Sequence, residues 1–177
     1  MRWSEVEAAQ PRLAEVGLRK LADPGVVLVG TIRRDGSPRI SPVEPMFWEG
    51  DLWLSMGWGS MKARDLRRDP RVLVHSLVPG PEGTAGEYKV RGRAIAVSDR
   101  ALETRFAAAV KEKLGWEPEV GKFHLFRIEI DDLTFIRWDH SNNDQYVTRW
   151  PGGAELLYPG TSAQSHGPPR PISELLD

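Results

Sequence analysis

The sequence predicts a mainly β protein, an antiparallel barrel, closed or split, with six or seven strands and flanking helices. Short β-branched or alternating apolar segments recur along residues 26–150, and Gly, Pro and Asp turns separate them. Helical patterns occur before the first strand, between the third and fourth strands, and before the last strands. We therefore expect a helical segment at residues 1–24, the barrel domain at 25–150 and a tail at 151–177.

The composition excludes several classes of function. The chain has 177 residues, with 24 Lys and Arg against 25 Asp and Glu, and this near balance offers no overall attraction for nucleic acid or an anionic membrane. It contains no cysteine, which excludes disulfides, thiolate metal ligands and a cysteine nucleophile. The first ten residues lack the apolar core of a signal peptide, and no apolar run has the length of a membrane span. We expect a cytoplasmic protein that binds neither nucleic acid nor membrane.

The first 24 residues predict two short helices. Ser4 and Glu7 have the spacing of a capping box, which would open a helix that runs to about Gln10. Pro11 suits the first position of a second helix, and Asp23–Gly25 ends that helix. Both helices are expected to pack against the barrel.

The first strands form a predicted meander. A β-branched run from Val26 to Ile32 leads to the pair Asp35-Gly36, which favours a tight two-residue hairpin turn. The returning strand, residues 39–48, alternates with period two but contains Pro42 and Pro45, which remove hydrogen-bond donors. This strand therefore belongs at an edge or a bulge, with backbone groups free for a ligand.

The later elements follow from similar signals. Ser60 is placed to cap a helix from Met61 to about Arg68, and Asp99 to cap a longer helix over residues 100–114. Further strands are predicted at residues 52–56, 71–76, 88–97, 123–130, 133–138 and 145–150.

Two segments are predicted to be largely irregular. Residues 79–86 are rich in Gly and Pro and predict an exposed loop. The tail is rich in Gly, Pro and Ser, and only residues 154–158 and 172–176 have enough apolar character to dock on the barrel. The sequence does not indicate a role for the tail.

Hydroxyl and cationic residues cluster where the third predicted barrel strand ends and the next helix begins, over Ser55–Arg64. A helix N-terminus favours an anion because its N–H groups are unpaired and its dipole end is positive. Lys62 and Arg64 oppose that dipole, so a bound phosphate explains their position better than helix stability does. Arg39 would add a planar, bidentate donor if the strands bring it to Ser60.

The same cations also fit a simpler interpretation, in which they are the solvated face of a surface helix: Lys62, Arg64, Arg67 and Arg68. An arginine on an exposed strand is also usually just solvated. The phosphate hypothesis therefore depends on the combination of residues.

These residues together resemble the pyridoxamine-phosphate-oxidase-like split-barrel flavoproteins. The resemblance is carried by the Asp35-Gly36 hairpin, the Arg-x-x-Pro-Val motif at 39–43, and the Ser-x-Lys-Ala-x-x-Leu motif at 60–66, followed by Asp69-Pro70. It covers residues 26–76 closely, and later elements agree in order. It implies a Greek-key split barrel and an oxidoreductase that uses FMN.

The resemblance also implies roles for individual residues. Arg39, Ser60 and Lys62 would bind the cofactor phosphate, and residues 40–43 would border the ring. Similar proteins are homodimers with the cofactor at the subunit interface, where residues of the partner's last strands cover the ring. The complete predicted cofactor site is Arg39, Ile40, Ser41, Pro42, Val43, Ser55, Met56, Ser60, Met61, Lys62, Arg64, Trp138, Arg149 and Trp150.

The chain departs from the vitamin-processing oxidases of this group. They usually carry Arg at the position of Met61 and Gln at the position of Glu87, and they have a basic C-terminal strand that this sequence lacks. A second phosphate site, for pyridoxamine phosphate, is therefore not expected.

Several functions stay open on the sequence alone. The cofactor is FMN or the deazaflavin F420, whose acidic tail would need a basic groove such as the arginines at 64, 67, 68 and 71. The ring itself would act on a small-molecule substrate, so no catalytic residue is predicted. The alternative is a protein that binds flavin, haem or bilin without turnover. A metal site held by close His or Cys pairs is not expected, and the four candidate haem ligands are His75, His124, His140 and His166.

Overall fold

The computed structural model describes residues 1–80, 83, 85–152 and 155–172. Within these residues the helices are α1 Trp3–Ala9, α2 Pro11–Leu21, α3 Met61–Arg68 and α4 Arg100–Leu114. The strands are β1 Val27–Ile32, β2 Pro38–Val43, β3 Pro45–Trp48, β4 Asp51–Gly57, β5 Arg71–His75, β6 Glu87–Val97, β7 Phe123–Asp139, β8 Asp144–Trp150, β9 Glu155–Tyr158, β10 Gly160–Ser162, β11 Ser165–His166 and β12 Arg170–Ile172. Among the described helices, none combines the length and hydrophobicity needed to span a bilayer.

The predicted mainly β, antiparallel fold is confirmed. The main sheet has the order β12-β9-β8-β7-β6-β5-β1-β2, and β4 joins it by pairing with both β7 and β3. The 17-residue strand β7 pairs with β6 along most of its length, with β4 through its first half and with β8 through its second half. The sheet therefore branches at β7, and one branch forms the split barrel.

The main sheet has ten strands in the described residues, more than the six or seven predicted. Part of the predicted tail supplies two of them, since β9 pairs with β8 and β12 pairs with β9. The predicted strand 39–48 is divided at Glu44 into β2 and β3, between the two prolines. Ala154 and residues 173–176 of the docking segments lie outside the described residues, as do Pro81, Glu82 and Thr84 of the predicted loop.

Two local predictions were wrong in detail. At the start of α1, the Glu5 carboxylate accepts a hydrogen bond of 2.5 Å from the Arg2 N–H, in place of the predicted Ser4 and Glu7 pair. The Ser4 N–H donates instead to the carbonyl of Gly50, at 2.9 Å, and ties α1 to the β3–β4 turn. The β1–β2 hairpin has a three-residue loop, because Arg33 N–H donates to the Ser37 carbonyl and Gly36 has a φ of +84°.

The main core fills the barrel, and α1 and α2 pack against it. Trp3 is fully buried and meets Phe47 edge to face at 4.7 Å between ring centroids. The Tyr88 hydroxyl donates to the Leu13 carbonyl at 3.1 Å, and burial raises the pKa of Tyr88 far above its usual range. The hydroxyl therefore stays a hydrogen-bond donor.

A second apolar cluster lies beneath α4. Phe106 of α4 packs against Trp53 and Phe123, so the helix covers the outer side of β4 and β7. The predicted cap of α4 is confirmed, because the Asp99 side chain accepts hydrogen bonds from the N–H groups of Ala101 and Leu102. This packing fixes the position of the loop that follows α4.

Gly92 in β6 is a position where two strands approach too closely for a side chain. The β6–β7 register shifts between Arg91 and Gly92, and a Cβ on Gly92 would lie 2.2 Å from the carbonyl oxygen of Glu129. We expect Gly92→Ala to destabilise the protein by about 2 kcal/mol or more, because backbone must move. Urea unfolding measures this loss.

Gly30→Ala is the matched control for this measurement. A Cβ on Gly30 would have its nearest contact, with Leu73, at an ordinary 3.5 Å. Its free energy of unfolding should change by less than about 1 kcal/mol. Equal effects of the two substitutions would contradict the described register shift.

Candidate functional site

A cavity of about 520 Å³ opens where β2, β4, α3 and the loop after α4 meet, and we call it the barrel cavity. Its walls include Pro42, Val43, Ser55, Met56 and Lys62. All five belong to the predicted cofactor site. The meander carries β2 and β4 to the same opening, and β4 ends at Gly57, just before α3 begins.

The loop 115–122, between α4 and β7, forms another wall of the barrel cavity and was missed by the sequence analysis. Trp116, Pro118, Lys122 and the adjacent Phe123 all line the cavity. Trp116 is 44% exposed, which core packing does not explain. The only sequence signal for this wall was the position of Trp116, an aromatic residue in a short segment with Gly, Pro and Glu.

Ser60 occupies the predicted N-cap position of α3, but its side chain does not cap the helix. The Oγ atom is buried and has no hydrogen-bond partner among the described residues. A buried hydroxyl without a hydrogen-bond partner lowers the stability of the folded protein by about 1–3 kcal/mol, and a ligand that hydrogen-bonds to it would remove this loss. Lys62 lies in the first turn of the same helix, beside the barrel cavity. The entrance to α3 therefore offers a hydroxyl, an ammonium group and unpaired helix N–H groups.

The Arg39 guanidinium is held by Asp65 of α3. Its Nε donates to Asp65 Oδ2 at 2.7 Å, and the Thr31 hydroxyl donates to the same oxygen at 3.1 Å. The β1–β2 register places Thr31 opposite Arg39. Arg68 donates to the other carboxylate oxygen at 3.4 Å. Asp65 thus joins β1, β2 and α3.

The carboxylate of Asp65 is ionised although its side chain is only 2% exposed. Burial acts to raise the pKa of Asp65, but hydrogen bonds from Arg39 and Thr31, together with the Arg39 charge, lower it below its ordinary value of 3.8. The sequence analysis missed this residue. The sequence offered one sign of its importance: Asp65 is the single acidic residue in a helix with four cationic residues.

Arg64 faces a different cavity from Lys62. Arg64 lines a cavity of about 450 Å³ together with Trp58, Arg67 and His124. Residues two apart on a helix point in different directions, so α3 separates its first two cations. The structure therefore does not bring Lys62 and Arg64 to one cavity.

Three other predicted contacts lie at the surface of β2 and α3. Ile40 is 71% exposed and Met61 is 53% exposed, while Ser41 is half-buried. Ile40 and Leu73 are both exposed and both pair with Gly30, one from each neighbouring strand, and we call these two residues the apolar strip.

The three residues predicted to cover the ring from a partner subunit lie on β7 and β8. Trp138 packs over Gly83, Arg149 is exposed, and Trp150 packs against the main core. Within this chain none of the three lines the barrel cavity. Their predicted role is to cover the ring bound by a second subunit, and it stays a prediction.

The four candidate haem ligands do not come together at one place: His140 and His166 line one cavity with Trp138, and neither His75 nor His124 lines it. His75 contacts the Ser76 carbonyl at 2.6 Å and the Glu87 carboxylate at 3.3 Å. His124 stacks on Trp58, whereas His140 and His166 are exposed. Among the described residues, no group of three or more potential ligands is arranged to hold a metal ion.

The antiparallel sheet branches, and the N-terminus of α3 lies at the cavity of one branch. These features define a split-barrel protein. The family of pyridoxamine 5′-phosphate oxidases matches residues 17–137, more than half of the sequence, and the chain belongs to this family. The resemblance seen in residues 26–76 is therefore confirmed.

Solved structures share this fold. A conserved hypothetical protein of Mycobacterium tuberculosis is 25% identical with a TM-score of 0.58, over 72% of this chain and 84% of that one. General Stress Protein 26 of Bacillus anthracis is 21% identical with a TM-score of 0.53, over 68% of this chain and 91% of that protein. An F420 reductase is 18% identical with a TM-score of 0.50, over 66% of this chain and 94% of that protein. No curated protein matches the sequence.

Removal of the Asp65 charge tests the network at α3. We expect Asp65→Asn to destabilise the protein by about 2 to 4 kcal/mol at neutral pH, because Arg39 loses its buried partner. Asp69→Asn is the matched control, since Asp69 pairs with Arg71 at the surface, and it should cost less. Urea unfolding of both variants measures the difference, and equal losses would contradict this role of Asp65.

The Asp65 effect should also depend on pH. The folded-state pKa of Asp65 is lowered, so its contribution is full above the ordinary value of 3.8 and is lost as pH falls through the folded pKa. The stability difference between the wild type and Asp65→Asn should therefore shrink below about pH 4. A constant difference at lower pH would show that the carboxylate charge is not its source.

Proposed function

We propose that this protein is an oxidoreductase that binds FMN in the barrel cavity, with the cofactor phosphate at the entrance to α3. The observation that carries the proposal is the buried Ser60 hydroxyl, which lacks a partner among the described residues and lies two residues before Lys62. A phosphate would accept hydrogen bonds from this hydroxyl, from the Lys62 ammonium group and from the first N–H groups of the helix.

The rest of the barrel cavity fits the remainder of a flavin. Its volume of about 520 Å³ is typical of small-ligand sites. Pro42, Val43 and Met56 offer apolar surface to a ring, and Ser55 offers a hydroxyl to the ribityl chain or the phosphate. Arg39 would contact the phosphate through its terminal nitrogens, since its Nε is bonded to Asp65.

The protein's part in the reaction would be to bind and orient the ring. When bound, the flavin ring supplies the electron-transfer chemistry. Trp116 and Phe123 border the same cavity and would limit the access of water to it. The reaction would thus need a small-molecule substrate but no separate acid–base residue from this chain.

A second copy of the chain would complete this site. Ile40 and Leu73 of the apolar strip lie on either side of Gly30, and exposed apolar side chains near one another are typical of protein interfaces. Pro42 lies on the same side of β2 as Ile40 and lines the barrel cavity, so the strip leads to the cofactor. Trp138, Arg149 and Trp150 of the partner subunit are the residues proposed to cover the ring.

The cofactor assignment is tested by absorbance of the purified protein and by titration with FMN, riboflavin, F420 and haemin. We expect flavin bands and a preference for FMN over riboflavin. Lys62→Ala should weaken FMN binding about tenfold or more, because a charge-assisted phosphate contact is lost. Ser60→Ala should also weaken FMN binding without loss of stability, since the hydroxyl has no described partner.

Lys113→Ala removes an exposed cation of α4 and is the control for charge, with no expected effect on FMN binding. Equal affinity for FMN and riboflavin would contradict phosphate recognition. A preference for F420 would reassign the cofactor to a deazaflavin, and a Soret band without flavin binding would overturn the oxidoreductase proposal in favour of a haem-binding protein.

The dimer proposal is tested by Ile40→Asp, which places a charge in the apolar strip. The wild type should sediment as a dimer and the variant as a monomer, because an unpaired carboxylate is costly in a buried interface. Leu114→Asp alters an exposed leucine of α4 and should leave the dimer intact. A wild-type monomer that binds FMN normally would contradict a cofactor site shared between subunits.

A further inference from the structure

Trp58 is exposed but held in a fixed orientation. It lies between β4 and α3 and is 64% exposed. Its ring stacks on His124, with 4.6 Å between ring centroids and 11° between the planes. The Gly59 N–H donates to His124 Nε2 at 3.1 Å and fixes the histidine in turn. His124 therefore covers one face of the indole, while most of the Trp58 side chain is exposed and available for stacking.

Two arginines without acidic partners lie beside this indole. Arg64 and Arg67 line the cavity of about 450 Å³ that Trp58 also lines. Neither has a carboxylate within ion-pair distance among the described residues, and Asp65, the only acid of α3, is already paired with two other arginines. Within the described part of the chain no carboxylate pairs with either guanidinium group, so both are available to an anion in the cavity.

His124 adds a donor without adding charge. Burial, followed by the charges of Arg67 and Arg64, lowers the pKa of His124 below its ordinary value. Because Nε2 accepts the Gly59 hydrogen bond, the neutral ring carries its proton on Nδ1. The positive charge of this cavity therefore comes from the arginines.

A smaller cavity, of about 260 Å³, extends the available space. It shares Trp58, Arg67 and His124 with the larger one and also reaches Phe123. Together the two cavities have room for a molecule of the size of a nucleotide. Phe123 also lines the barrel cavity, so the two regions adjoin at this residue.

We propose that this region is a second ligand site, which binds a planar aromatic molecule that carries a phosphate or carboxylate group. The ring stacks on the free face of Trp58, and the anionic group contacts Arg64 and Arg67. None of these three residues lines the barrel cavity. The site is therefore distinct from the proposed cofactor site and does not depend on the FMN assignment.

Calorimetric titration of the full chain with AMP and with naphthoate tests the proposal. We expect saturable binding of at least one of them, with adenosine and inorganic phosphate at least tenfold weaker than AMP where AMP binds. The double variant Arg64→Gln/Arg67→Gln should weaken binding of the anionic probe tenfold or more. Trp58→Ala should weaken it to a similar extent. Arg71→Gln, which alters an arginine paired with Asp69, is the control and should bind as the wild type does.

A repeat of the titration with FMN-saturated protein separates this site from the cofactor site. Unchanged affinity for the anionic probe supports two sites, and displacement of the probe by FMN would overturn the proposal. Absence of binding by both probes at millimolar concentration would also overturn it, as would full affinity in the arginine and Trp58 variants. If the protein binds no FMN but still binds the probe through Trp58, the second site stands and the cofactor proposal fails.

Discussion

The buried carboxylate of Asp65 is the interaction on which the arrangement of the candidate site depends. It accepts hydrogen bonds from Thr31 on β1, from Arg39 on β2 and from Arg68 on its own helix. Strand β2 is paired with β1 over its full length, and the ionic contact of Arg39 with Asp65 joins this edge strand to α3. Because α3 is placed in this way, its N-terminus meets the barrel cavity.

Helix α3 then divides its positive charges between two sides. Lys62 faces the barrel cavity, while Arg64 and Arg67 face the cavity beside Trp58. A single acid in the middle of the helix neutralises part of the remaining charge. In the two proposals above, one short helix would bind two different anions, each with its own aromatic neighbour, Trp116 on one side and Trp58 on the other.

Local signals in the sequence predicted most of the fold, and contacts between distant residues account for what they missed. Asp99 and Pro11 act within their own helices, so their effect was evident in the sequence. By contrast, residues 131–132 look like a break between strands, yet β7 continues through them, since the register shift opposite Arg91 and Gly92 leaves only Asp131 of the two unpaired with β6. The convergence of residues 42–43, 55–56 and 62 at one cavity followed from the meander, whereas Trp116 reaches it through the packing of α4, which no local pattern encodes.

The prolines of β2 and β3 have a counterpart at the far end of the sheet. Every strand that ends a branch of the described sheet contains proline: Pro38 and Pro42 in β2, Pro45 in β3 and Pro171 in β12. Proline offers no N–H to an incoming chain, so each rim lacks part of the hydrogen-bonding template that an added strand needs. The rims of the ten-stranded sheet therefore resist the addition of further strands, which disfavours fibril-like extension of the sheet.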